Sequence, residues 1–242
     1  MAAMKSSKCN LLAIDTALSS CSVAVIKSGS IAAVRLQEMV RGQSEALLPM
    51  AAATLTDANI DWVDLDVLAV TVGPGAFTGL RIGLAAVRGL GLSLNLPMIG
   101  VTTMETIARA TTVNERSTVM IMVVVESRRE DLFVQCFDRN LKEISDIQAC
   151  LPENLKDLVK MQSVLLCGDG TERAAKALIK SGVQVDISQS AKLPNADSVA
   201  LIAYERWQRD KDKISVDRTP PSPIYVRPPD AIKPHLGGRL RP

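Results

Sequence analysis

TVGPGAFTGLRIG, residues 71–83, joins an apolar run to a glycine-proline-glycine turn and then to a helix start crowded with small residues. It reads as strand, tight loop, helix. Gly73 and Gly75 permit backbone geometries that a Cβ would forbid, Pro74 fixes one φ angle, and Thr78 stands where it would cap the helix that follows. Exposed amides at a helix start attract phosphate or carboxylate. The spacing is neither the dinucleotide fingerprint nor the P-loop, which needs a Gly-Lys-Ser/Thr ending. Two readings stand, a turn dictated by packing and a phosphate cradle, and the residues favour the first.

Working outward, 242 residues suffice for a substantial core, and surface-to-volume scaling makes two domains the working expectation. Hydrophobic residues are 47% of the chain but aromatics only 3%, so Leu, Ile, Val and Ala must build the core, which suits an α/β fold. A net charge of +2 is too small to create a strong polyanion field, so nucleic-acid binding by this chain alone is not expected. Five scattered cysteines without a C-x-x-C pair argue against a disulfide framework and a zinc site. The first apolar run is too short for a signal peptide, and the greasy region 82–101 is broken by Arg88, Asn95 and Pro97. A soluble cytoplasmic protein with no membrane association follows as the expectation.

The sole histidine, His235, lies in a Pro-rich tail that reads as extended and surface-lying. Zinc hydrolases of the H-E-x-x-H type need two histidines, and Ser-His-Asp or Cys-His chemistry needs one held against its nucleophile. Neither can be built, so no catalytic residue and no metal site is assigned.

Along the chain, 11–16, 21–27 and 31–39 read as an antiparallel meander, 44–58 as a helix with Pro49 in its early turns, and 67–72 as a fourth strand. The glycine loop leads into a helix at 78–94, and 98–101 closes the unit as a fifth strand. After a bridging helix at 103–110 the pattern repeats. Strands are expected at 118–126, 131–138 and 143–149, a helix at 152–160, a strand at 164–167, a helix to 180, a strand at 183–187 and a helix at 196–210. A β-β-β-α-β-α order occurring twice points to a duplicated fold. It resembles the actin, sugar-kinase and heat-shock ATPase superfamily, which clamps ATP between two halves. The expected division is 1–103, a reduced second domain at 104–215, and a basic tail at 216–242.

That resemblance implies a carboxylate at the end of each half's first strand. Asp15 and Thr16 qualify, with Ser19, Ser20 and Ser22 nearby, but the second half ends Glu126-Ser127-Arg128-Arg129, where a glycine-rich phosphate loop would be expected. Gly168 and Gly170, between strand and helix, fall where the superfamily often binds adenosine; equally, they form a strand-helix turn with Thr171 as its cap. Asp15, Thr16, Gly73, Gly75, Thr78, Gly168 and Gly170 are therefore the candidate, degenerate nucleotide or phosphate residues.

The 78–94 helix is apolar around most of its circumference, with Leu80, Leu84 and Val87 on one stripe and only Arg81 and Arg88 marking an exposed line. Its four glycines suit close approach of another helix, 44–58 being the neighbour. Leu47, Leu48, Ala51, Leu55, Leu80, Arg81, Leu84, Val87 and Arg88 are the expected partner interface.

These segments closely resemble the TsaB (YeaZ) family. The resemblance runs through 11–16, Ser44-Glu45, Leu47-Leu48-Pro49, the GPGAFTGLRIG segment, Gly100-Val101-Thr102, 126–133 and Pro223-Ile224-Tyr225-Val226-Arg227. It implies a noncatalytic relative of the TsaD catalytic subunit, without that subunit's metal-binding histidines. It further implies pairing with TsaD, a TsaE ATPase partner, and threonylcarbamoyl transfer to an adenosine beside the anticodon of ANN-decoding tRNAs, with tRNA reached through the complex. A homodimer through first-domain helices is implied for the free protein, and ATP or ADP with Mg only in the complex. Gln43 stands where histidine is frequent, Ala76 where Ser is usual and Glu126 where Asp is common. The competing reading from the same superfamily is an autonomous ATP-dependent kinase or ATPase using Asp15 and the Gly168 loop. A glycopeptidase is disfavoured by the lack of usable histidines. The tail cations Arg227, Lys233, Arg239 and Arg241 read as solvated.

Overall fold

The computed structural model describes residues 9–116, 120–159, 163–190, 192–210, 213–214 and 219–227; His235, Lys233, Arg239 and Arg241 lie outside them. The first half runs β1 (Leu11–Asp15), β2 (Ser20–Lys27), β3 (Ser30–Glu38), α1 (Gln43–Asp57), β4 (Val67–Thr71), α2 (Phe77–Leu94) and β5 (Met98–Val101). Then come α3 (Thr103–Arg109), β6 (Met120–Glu126), β7 (Leu132–Phe137), β8 (Gln148–Cys150), β9 (Ser163–Cys167), α4 (Thr171–Lys180), β10 (Gln184–Ile187) and α5 (Ala196–Asp210).

The strands form two five-stranded sheets, ordered β3-β2-β1-β4-β5 and β10-β9-β6-β7-β8. Reversed, the second order has the same plan as the first. In each, an antiparallel meander (Ala13 opposite Ala24; Val124 opposite Val134) joins two parallel strands (Ala13 opposite Ala69; Met122 opposite Leu166). The duplication expected from the sequence is present, and the fold is α/β and actin-like.

Alternation along the central strands explains why both faces are covered. Leu12 and Ile14 of β1, Val23 and Val25 of β2, and Leu68 and Val70 of β4 pack beneath α1 and α2, meeting Leu47, Ala51, Leu84 and Val87. The intervening Leu11, Ala13, Ala24, Val67 and Ala69 face α5 through Val199, Ala200, Ala203 and Trp207. In the second half, Ile121, Val123 and Val125 meet Met104 and Ile107 of α3, while Met122 and Val124 meet Ala174 and Leu178 of α4.

Helix α5 corrects the expected domain division. It falls within 104–215 but packs on the first sheet, because its small residues Ala196, Ala200 and Ala203 fit the Ala-rich face of β1, β2 and β4. Arg206 of α5 donates to the Gly100 carbonyl at 2.6 Å and pairs with Glu105 of α3. Nor is the tail segment 219–227 separate: Ile224 donates its amide to the Val72 carbonyl at 2.7 Å and packs against the first core.

Smaller departures have local causes. The 143–149 strand shrinks to β8, because Ser145 Oγ takes the Cys136 amide and Asp138 Oδ1 accepts from the Asn140 and Lys142 amides in a turn. Residues 152–158 wind as a 3₁₀ turn around a single buried Leu155. Pro49 sits in the second turn of α1, which is held across it by the burial of Leu47, Ala51, Thr54 and Leu55.

Candidate functional site

Asp15, at the end of β1, is wholly buried. Its Oδ1 accepts from the Thr71 hydroxyl at 2.6 Å and the Ala17 amide at 3.2 Å. Burial pushes its pKa up to about 6, against the lowering effect of Thr71, Ala17 and Ser20. Thr16 is equally buried, donating its hydroxyl to the Gly79 carbonyl at 2.7 Å.

The glycine loop is shaped by this contact. A Cβ at Gly79 would lie 2.1 Å from the Thr16 carbonyl oxygen, and one at Gly75 would lie 2.4 Å from that of Ala17. Ala76 donates its amide to the same Ala17 carbonyl at 2.7 Å. The glycines bring α2 against the β1–β2 loop, as the packing reading expected. Thr78 does not cap α2: the helix starts at Phe77 with Ala76 as its cap, no side chain accepts from its first turn, and that turn holds no acid. Thr171 is likewise the first residue of α4, whose cap is Gly170. At Gly168, φ +102°, a Cβ would lie 2.1 Å from the Val124 carbonyl oxygen, and Gly170 packs on Val124 and Leu132. Both glycines of the expected adenosine turn are thus accounted for by packing on β6 and β7.

Between β6 and β7, Ser127 Oγ donates to Asp131 and accepts the Arg129 amide at 3.2 Å. Arg173 of α4 grips this turn from behind, pairing with Glu126 at 2.7 Å and donating to the Arg129 and Glu130 carbonyls. Arg128 is held at φ +60°, a left-handed conformation that favours glycine.

A cleft of about 940 Å³ separates this turn from the start of α2. Five arginines line it, Arg41, Arg81, Arg128, Arg129 and Arg227, against two carboxylates, Glu126 and Asp169. Tail residues close one side. Arg81 donates to the Tyr225 hydroxyl at 3.3 Å and lies 3.7 Å over the Phe77 ring, Arg88 donates to the Pro221 carbonyl at 2.7 Å, and Arg227 pairs with Asp131. Arg227 is thus engaged by the fold, not solvated as the sequence suggested, while Arg81 and Arg88, exposed as expected, also hold the tail segment.

These residues do not fit a Mg–nucleotide held as the superfamily holds it. Asp15 is buried outside the cleft lining, Gly168 and Gly170 pack on β6 and β7 and do not line it either, and the second phosphate loop carries arginine side chains. Among the described residues no group of three or more His, Cys, Asp or Glu is placed to hold a metal.

The expected partner interface also needs correction. Leu47, Ala51, Leu55, Leu80, Leu84 and Val87 are all buried in the protein's own core, since both helices turn their strongest stripe to the sheet. The large hydrophobics left exposed on these helices are Leu48, 49% exposed, Phe77, 55% exposed, and Leu92, 86% exposed, beside the exposed Arg81 and Arg88. Sequence reasoning missed Thr71, Arg173, Tyr225 and Asp131. The Pro223–Arg227 family segment was the signal available for Tyr225, and nothing local marks Arg173.

A family model described as TsaD, tRNA N6-adenosine threonylcarbamoyltransferase, matches residues 37–232. The tRNA threonylcarbamoyladenosine biosynthesis protein TsaB of Escherichia coli K12 is 30% identical over 222 residues, spanning 90% of this chain and 94% of that one. The chain belongs to the TsaB family. Among solved structures, a Pseudomonas aeruginosa protein with similarity to peptidase YeaZ superposes with a TM-score of 0.76 at 24% identity, covering 90% of this chain and 100% of the other. The ROK hexokinase of Thermus thermophilus reaches 0.50 at 11% identity, covering 81% and 99%, a likeness of fold alone. TsaB membership and the sugar-kinase-like fold account for the duplicated sheets.

Proposed function

We propose that this chain is a noncatalytic subunit that partners a TsaD-like catalytic subunit, with a TsaE-like ATPase, in forming N6-threonylcarbamoyladenosine in ANN-decoding tRNAs. The observation that carries the reading is the pairing of an intact ATPase-type fold with a sealed Asp15 and a β6–β7 turn occupied by arginines. The architecture is kept while the groups that would hold a metal and phosphates are turned to packing. Any ATP or ADP with Mg then enters with the assembled complex, and tRNA is reached there.

The exposed outer faces of α1 and α2, with Leu48 and Leu92, are the proposed docking surface for the TsaD-like subunit and, in its absence, for a second copy. A cytoplasmic location accompanies this role. The test is light scattering on a size-exclusion column, with the chain alone and mixed with a TsaD-like subunit. Conversion of a homodimer to a one-to-one complex, lost in Leu92→Glu, supports the reading. Failure to associate, together with Mg-dependent ATP hydrolysis by the chain alone, would instead favour an autonomous ATPase.

A further inference from the structure

We infer that the arginine-lined cleft between the two halves is a metal-independent site for the phosphate backbone of RNA, an inference that rests on the tRNA-directed role proposed above. The cleft has the charge of an anion site: with Arg227 paired to Asp131 and Glu126 to Arg173, the arginines Arg41, Arg81, Arg128 and Arg129 line it beside a single further carboxylate, Asp169. The net charge of the whole chain, +2, conceals this local concentration. Arginine forks match phosphate oxygens in a bidentate manner, and the uncapped, acid-free first turn of α2 adds amide donors on the facing wall.

Three observations favour a backbone over a free nucleotide. The strand-helix turn that would seat a base offers the cleft the Asp169 carboxylate and neither glycine, because Gly168 and Gly170 pack on Val124 and Leu132. The carboxylate that would share a metal, Asp15, is sealed beneath Thr71. The cations stand at the surface: Arg41, Arg81, Arg128 and Arg129 are all exposed. Such a site neutralises phosphate without recognising a base, and that is how backbone contacts act.

The β6–β7 turn is built to present its arginines. Arg173 and Ser127 bind the backbone of the neighbouring Arg129, and the left-handed Arg128 beside it lines the cleft. Arg41, just before α1, faces it from the other half. Because φ at Arg128 favours glycine, Arg128→Gly removes the charge while suiting the backbone, which makes it a clean probe.

The experiment is fluorescence anisotropy of an ANN-decoding tRNA transcript titrated with the complex of this chain and a TsaD-like subunit, and with the chain alone, over a range of KCl concentrations. The Arg41→Ala/Arg128→Gly double variant is expected to weaken affinity about tenfold and to flatten the log–log salt slope by about one to two. Arg35→Ala, which removes an equally exposed charge paired with Asp57 away from the cleft, should leave the slope at the wild-type value. An unchanged slope in the double variant, in a complex that assembles normally, overturns this inference and leaves the subunit reading intact. A wild-type chain that does not join the TsaD-like subunit overturns that reading instead, and the titration of the chain alone still reads the cleft. Saturable ATP binding to the isolated chain, lost in the double variant, would overturn the RNA assignment in favour of a nucleotide.

Discussion

Replacing Asp15 by Asn removes a buried titratable group while keeping an oxygen for the Thr71 hydroxyl and the Ala17 amide. In the folded protein Asp15 titrates at about 6, against an ordinary value of 3.8, because burial disfavours its charge. A folded value raised in this way contributes stability that is present below pH 3.8 and is lost as pH rises through about 6. At about 1.4 kcal/mol per pKa unit, the full loss is on the order of 3 kcal/mol. Urea unfolding of both proteins from pH 4 to pH 8 measures it. The Asn variant should gain on the wild type by about 2 kcal/mol or more across that range, nearly all of it by pH 7. A difference that stays flat with pH would refute the argument, because it would mean that Asp15 titrates in the folded protein as it does in the unfolded chain.

Gly79→Ala and Gly89→Ala form a matched pair on α2. The first drives a Cβ toward the Thr16 carbonyl and should cost about 3 kcal/mol, whereas the second meets open space and should stabilise by about 0.5–1 kcal/mol, both read from thermal unfolding. Arg206→Ala strips α5 of its bonds to Gly100 and Glu105 and should cost about 2 kcal/mol in chemical denaturation. Glu115, for which partial burial is outweighed by the Thr112 amide and the Ser190, Thr112 and Ser188 hydroxyls, titrates at about 2. Its stabilising effect is therefore full above pH 4.5 and lost as pH falls toward 2; Glu115→Gln should erase that part of the acid sensitivity.

The parts of the fold that follow from short continuous apolar runs were legible in the sequence. Leu11 to Asp15, Val67 to Thr71 and Met120 to Glu126 announce buried central strands, and the glycine-proline-glycine turn announces the β4–α2 junction. What could not be read was which sheet an apolar helix would choose: α5 returns to the first half only because its alanines meet an alanine-rich strand face there. The same limit misplaced the partner interface. Leu47 and Leu84 are hydrophobic whether they bury inward or dock outward, and only the register of each helix on the sheet decides. Asp15 was identified by its place at a strand end, but its burial depends on Thr71, 56 residues away. The charged cleft is assembled from Arg41, Arg81, Arg128, Arg129 and Arg227, which are remote in sequence and appear individually as surface charge.

The central claim is that the chain supports, without itself catalysing, tRNA threonylcarbamoylation. Its most direct test is reconstitution with a TsaD-like subunit, a TsaE-like ATPase, a threonylcarbamoyl donor and an ANN-decoding tRNA, with the modified nucleoside counted by mass spectrometry. The account predicts modification only when this chain is present together with the TsaD-like subunit, and none from this chain alone. Equal modification in its absence, or modification by the isolated chain, would contradict it.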